Sequence, residues 1–216
     1  MNPTEDCIVV VDDDFRVREA LQNLLESEGF AVVTFGTATA YMEHAHMASP
    51  SCLVLDVQLP DISGLDLQRR LAGPAHTHPH PHIVFITGHG DIPSSVQACK
   101  AGAVDFLTKP FSDVQLLRAV REAVERGRQA RRSQAWHRDL AARLATLSPR
   151  EREVLPLIVS GLMNKQAAAV LGISEITLQI HRRKIMAKMA ADSLPDLVRM
   201  TDTMGIVPTH SRRARP

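Results

Sequence analysis

No uninterrupted apolar stretch in this 216-residue chain approaches the ~20 residues that a membrane-spanning helix needs. The N-terminus lacks a basic region followed by an apolar core, so nothing there resembles a secretion signal. Cysteine is scarce and odd in number: Cys7, Cys52 and Cys99 lie far apart, which argues against a disulfide framework. Reduced, mostly buried thiols and a cytoplasmic location are expected. No glycine-rich fingerprint follows the first apolar run, which removes a dinucleotide-binding reading. With a hydrophobic content of 44%, the length suits one large domain or two modest ones, each with a real core.

Net charge is also small, at +1, but that value averages two opposite halves. Residues 1–120 carry 7 Lys/Arg against 15 Asp/Glu, a net −8, and residues 121–216 carry 18 against 9, a net +9. An acidic half joined to a basic one points the basic surface towards nucleic acid.

The acidic half contains short apolar runs that each stop at a polar residue. Ile8–Val11 ends at Asp12 and Asp13, Leu53–Leu55 at Asp56, Ile83–Ile86 at Thr87, and Val104–Leu107 just before Lys109-Pro110. Ala31–Phe35 is a further run, and helical patterns separate them all: Val17 to Leu25 ending at Gly29, Ala38 to Met47, Gly64 to Leu71, Pro93 to Ala101, and one capped by Ser112. Strict alternation predicts a doubly wound α/β sandwich of five parallel strands and five helices. Right-handed crossovers favour the flavodoxin-like strand order 2-1-3-4-5. In that order the first and third strands are neighbours, and sites form at the carboxyl ends of the strands. Asp12, Asp13, Asp56, Thr87 and Lys109 then share one crevice. Like charges about 4 Å apart repel by ~4 kcal/mol at an effective dielectric near 20, so three carboxylates need a counter-charge. A hard divalent ion with oxygen ligands, Mg²⁺, meets that need. A carboxylate between a metal and a lysine is a nucleophile suited to phosphorus.

Residues 125–146, rich in Arg, Gln and Ala, read as a partly helical linker with Trp136, Leu140, Leu144 and Leu147 at helical spacing. Beyond it the pattern changes to short helices with their own start signals. Ser148-Pro149-Arg150-Glu151 is a capping box with proline at the first helical position. Asn164 and Ser174 are expected to cap the next two helices, Ser193 opens a fourth, and Gly161 and Gly172 fall where the chain must reverse. Helix, tight turn and helix over residues 164–189 is helix-turn-helix geometry. Pro156, well inside the first of these helices, works against it by removing a backbone hydrogen bond. On the recognition helix, Glu175 to Met189, the spacing turns Leu178, Ile185 and Met189 to the core and Gln179, Ile180 and Arg183 outward. Gln suits adenine, Arg guanine and Ile a thymine methyl. Lys165, Thr177, His181, Arg182 and Lys184 suit phosphates.

Val11-Asp12-Asp13-Asp14, the run from Leu55 to Gly64, Ile86-Thr87-Gly88-His89-Gly90 and Lys109-Pro110-Phe111 together resemble a response-regulator receiver domain. Leu147 to Leu155, Gly161 to Lys165 and Leu171 to Ser174 resemble the LuxR-type DNA-binding domain, and the combination resembles the NarL/FixJ regulators. The resemblance implies that Asp56 accepts phosphate from a sensor histidine kinase. It implies that Asp13, Asp56 and the carbonyl of Gln58 bind Mg²⁺, with Asp12 acting through water. Thr87 and Phe106 would be the switch pair, Lys109 the phosphate contact, and the Lys109-Pro110 bond cis. Gln179 departs from the lysine more usual in the family, so a base preference does not carry over.

The expected domains are a receiver at 1–125, a helical linker at 126–146, the DNA-binding domain at 147–208 and a disordered basic tail at 209–216. The expected function is transcription control rather than enzymatic turnover: phosphorylation drives homodimerisation, operator binding and contact with RNA polymerase, with no membrane partner. A phosphorylation-gated protein-interaction module is the alternative. A haloacid-dehalogenase-like phosphatase would need a second Asp where Gln58 stands. The histidine-rich segment His76 to His82 reads as a tolerant surface loop, with metal binding as the other possibility.

Overall fold

The computed structural model describes residues 6–44, 50–73, 81–88 and 102–207. The chain forms two compact units, Met1–Arg131 and Arg132–Pro216.

The first unit is built on β1 (Cys7–Val11), α1 (Phe15–Ser27), β2 (Ala31–Phe35), α2 (Ala38–His44), β3 (Cys52–Asp56), α3 (Gly64–Leu71), β4 (Ile83–Thr87), β5 (Asp105–Thr108) and the start of α4 (Asp113–Ala145). All strand pairs are parallel, in the order β2-β1-β3-β4-β5. This is the expected doubly wound, flavodoxin-like α/β sheet. Because side chains alternate across a strand, each buried run feeds two cores. Ile8, Val10, Val54, Val84 and Ile86 face Leu21 and Leu25 of α1 and Leu116, Val120 and Val124 of α4. Val9, Val11, Leu53, Leu55 and Phe85 face Tyr41 of α2 and Leu67 and Leu71 of α3. The helix expected at Pro93 to Ala101, Cys99, the residues of α2 beyond His44, His76 to His80 and the tail from 209 lie outside the described residues.

The final helix of the first unit does not stop at residue 125. It runs unbroken from Asp113 to Ala145, so the separate linker read from composition is the continuation of α4. Ser112 caps its start as expected: Oγ accepts from the Gln115 backbone, and the Gln115 side chain accepts from the Ser112 backbone. Every residue from Arg128 to Asp139 is exposed, so three turns of this helix have no apolar partner among the described residues. At the near end of that stretch, Asp6 accepts hydrogen bonds from Ser51, Arg128 and Arg131 while its own side chain is only 10% exposed.

The second unit packs the end of α4 against α5 (Pro149–Val159), α6 (Asn164–Leu171), α7 (Glu175–Met189) and α8 (Leu194–Thr203). Leu140, Leu147, Val154, Leu155, Ile158, Leu178, Ile185, Met189, Leu197 and Met200 form its core. Ser148 and Glu151 make the anticipated capping box, and α5 accommodates Pro156 within its length. One start signal differs. Met163, not Asn164, is the N-cap of α6, and Gln166 accepts from its backbone nitrogen. Asn164 is already helical, and its side-chain oxygen accepts a bond from Arg182 at 3.1 Å instead. Gly172, at φ 64°, supplies the left-handed turn that lets Ser174 cap α7 three residues after α6 ends.

Candidate functional site

Strand register creates the first site. Val11 pairs with Leu55, so the next residues on each strand, Asp12 and Asp56, emerge side by side at the carboxyl edge. Thr87 pairs with Thr108 at the same edge, and Lys109 follows Thr108. Lys109 Nζ donates to Asp12 Oδ2 at 2.6 Å and to Asp56 Oδ2 at 2.8 Å. Asp12 is fully buried, Asp56 is 5% exposed, and Asp13 stands in solvent. Carboxylate oxygens of Asp12, Asp13 and Asp56 lie within 4.8 Å of one another.

The remaining bonds fix these carboxylates in place. The Asp14 backbone donates to Asp12 Oδ1 at 2.9 Å, and the Gln58 backbone donates to Asp56 Oδ1 at 3.0 Å. Arg18 reaches from α1 to the carbonyls of Asp12 and Asp13 at 2.7 and 2.9 Å, holding the acidic turn against its helix. Nothing in the spacing pointed to Arg18. Burial, reinforced by the charge of Asp56, lifts the Asp12 carboxyl above the usual aspartate range despite its bond from Lys109. Burial alone would lower Lys109, but its bonds to Asp12 and Asp56 outweigh it and hold the ammonium above its ordinary value. Among the described residues, three carboxylates against one ammonium leave a formal deficit of two positive charges, and every available ligand is oxygen. That donor set fits a hard divalent cation.

Thr87 is fully buried, and its carbonyl accepts from the Lys109 backbone at 2.7 Å. Phe106 is half-buried, its ring tilted against Phe85 with centroids 6.2 Å apart. The Lys109-Pro110 bond is cis. The loop after β3 returns so closely that a Cβ on Gly64 would sit 2.3 Å from the Asp56 carbonyl oxygen. Only glycine fits there. His89 and Gly90 lie outside the described residues.

A second surface of possible chemistry lies on α7. Leu178, Ile185 and Met189 are buried, and Gln179, Ile180, Arg183 and Lys184 are exposed, as the spacing implied. Lys165 is exposed at the start of α6, whereas Thr177, His181 and Arg182 are partly covered. Thr177 shares a hydrogen bond with the Ser174 hydroxyl, and Arg182 ties α7 to Asn164. His181 turns its Nδ1 inward, where it finds no hydrogen-bond partner among the described residues. Two contacts hold α7 at its far end: Lys188 pairs with the buried Glu151 at 2.6 Å, and Arg143 donates to the Met189 carbonyl at 2.8 Å. Ile176, which the periodicity argument passed over, stands 72% exposed on the same outward stripe.

Comparison with known proteins matches residues 8–121 to the response regulator receiver domain and residues 145–201 to the bacterial regulatory proteins of the luxR family. The chain belongs to the two-component response regulators. This response regulator is 49% identical to nodulation protein W of Bradyrhizobium diazoefficiens, over 98% of its own length and 92% of that protein's. It is 45% identical to the response regulator protein TmoT of Ectopseudomonas mendocina, over 94% of its length and 91% of the relative's. Among solved structures, response regulator StyR superposes with a TM-score of 0.80 at 43% identity, covering 92% of this chain and 99% of that one. A regulator of this composition works between a sensor kinase and DNA, and its family is one of transcription factors. None of its described helices is long and apolar enough to cross a membrane.

Proposed function

We propose that Asp56 is the phosphoacceptor of this response regulator and that its phosphorylation controls dimerisation and operator binding. The observation that carries the reading is Lys109 Nζ bridging the buried carboxylates of Asp12 and Asp56 at 2.6 and 2.8 Å. An Asp56 carboxylate oxygen attacks the phosphorus of the kinase's phosphohistidine. The O–P bond forms, the P–N bond breaks, and the imidazole leaves. Lys109 then exchanges a carboxylate for a phosphoryl oxygen, and the Thr87 hydroxyl donates to another. Asp13, Asp56 and the Gln58 carbonyl would hold Mg²⁺, with Asp12 acting through water. When bound, the ion supplies positive charge against the clustered carboxylates and phosphoryl oxygens.

Thr87 moving towards the phosphoryl group leaves space for Phe106 to follow, which biases the face used for homodimerisation. Shifting a population from 1:99 to 99:1 takes ~5.5 kcal/mol of differential stabilisation, and the phosphoryl contacts and the dimer interface provide it together. The paired α7 helices enter the major grooves of a two-half-site operator. Gln179, Ile180 and Arg183 meet base edges there. Lys165, Thr177, His181, Arg182 and Lys184 serve phosphates, and RNA polymerase is the downstream partner.

Asp56→Asn is expected to lose all labelling by acetyl phosphate and all phosphorylation-dependent gain in operator affinity. Undiminished labelling of that variant would place the phosphoacceptor elsewhere.

A further inference from the structure

The outward side of α7 carries two large apolar side chains where a helix facing only water has no reason to place them. Ile176 and Ile180 are 72% and 51% exposed, one turn apart, on the stripe they share with Gln179 and Arg183. We propose that Ile176 and Ile180 together read the 5-methyl groups of two thymines, which makes Ile176 a specificity-determining residue.

An isoleucine has no polar atom with which to satisfy the donors and acceptors of a base edge. Set against them, it would strip water and return nothing. The thymine methyl is the one apolar group that base pairs present in the major groove. The surroundings favour DNA over a protein surface as the occupant. Gln179 and Arg183, which suit base edges, interleave with the isoleucines, and Lys184 and the nearby Lys165 are exposed cations suited to phosphates, with Glu175 the one acid in the first turn of α7. The spacing is compatible as well. Four helical residues advance ~6 Å, roughly the rise of two base pairs at ~3.4 Å each. The preferred half-site therefore carries thymines about two steps apart, on either strand.

This inference rests on the DNA-binding reading above and sharpens it, and the test separates the two. The phosphorylated full-length chain is used to select duplexes from a random library, and each thymine of the enriched site is replaced in turn by deoxyuridine, which removes only the methyl. Two positions are expected to weaken binding about four-fold each, the value of one buried methyl-sized group. In Ile176→Ala one of those positions becomes indifferent to the replacement, and in Ile180→Ala the other does. Lys184→Ala, at a phosphate contact, leaves the deoxyuridine pattern intact while weakening every site. Both isoleucines are exposed, so melting curves of the variants should overlay the parent. Deoxyuridine replacement without effect, or a pattern unchanged in Ile176→Ala, would overturn the proposal. Failure to enrich any sequence would remove the DNA-binding reading itself, and the proposal with it.

Discussion

Gly64 shows how one side chain's absence shapes the acidic pocket. Its missing Cβ lets the loop after β3 fold back over the Asp56 backbone, where an added methyl would lie 2.3 Å from a carbonyl oxygen that cannot swing aside. Gly64→Ala is expected to cost about 1–3 kcal/mol, as overpacked interiors do. It should also slow acetyl-phosphate labelling, because Asp56 moves with its own carbonyl; urea melts and labelling rates on the same preparation check both effects. The acids and the lysine of this pocket were legible in the sequence because each ends a strand, and strand ends in a parallel sheet converge by topology. Arg18 was not legible. Its role depends on a side chain crossing from α1 to two carbonyls, a contact that no periodicity encodes. The exposure of Ile176 was not legible for a different reason. Apolar residues are read as core by default, and exposure distinguishes the two uses only once the fold is known.

Helix ends carry much of the second level of organisation, and two of them connect distant segments. Asp61, in the loop after β3, accepts from the backbones of Ala38 and Thr39 and from the Thr39 hydroxyl, so it caps α2 from outside that helix. Although burial opposes it, these bonds bring the Asp61 carboxyl down to about 2. Its contribution is therefore complete above the ordinary aspartate value of 3.8 and fades as pH falls through about 2. Asp61→Ala should cost about 1 kcal/mol at neutral pH, the usual size of a lost cap. The difference from the parent should narrow in urea titrations taken at successively lower pH below 4, and a constant difference would exclude the ionised cap. The α6 boundary illustrates what local pattern cannot decide. Asn164 has the right chemistry for a cap, but the neighbouring Gln166 satisfies the Met163 backbone, which frees Asn164 to bond Arg182. The amphipathic signal of α7 is weak for a related reason: it carries isoleucine on both its core and its outward sides.

For the whole molecule, strand order and the division into a sheet-based half and a helical half were legible from alternation and from the charge split. The path of the chain between them was not. Composition marked a change near residue 125, but backbone hydrogen bonding continues to Ala145 because arginine, glutamine and alanine are all good helix formers. Asp6 sets where α4 leaves the sheet. Its carboxylate takes Arg128, Arg131 and Ser51 together, and Gly127 allows the helix to approach the Ser51 carbonyl. Asp6→Ala should leave the acidic pocket unaltered while the amides of residues 126–131 exchange several-fold faster with deuterium; unchanged exchange there would show that the arginines do not anchor the helix. The exposed turns beyond that anchor belong to neither apolar core. A different effector spliced onto the helix at any residue between 132 and 139 would inherit an intact signalling half, so this stretch is a natural seam for recombination.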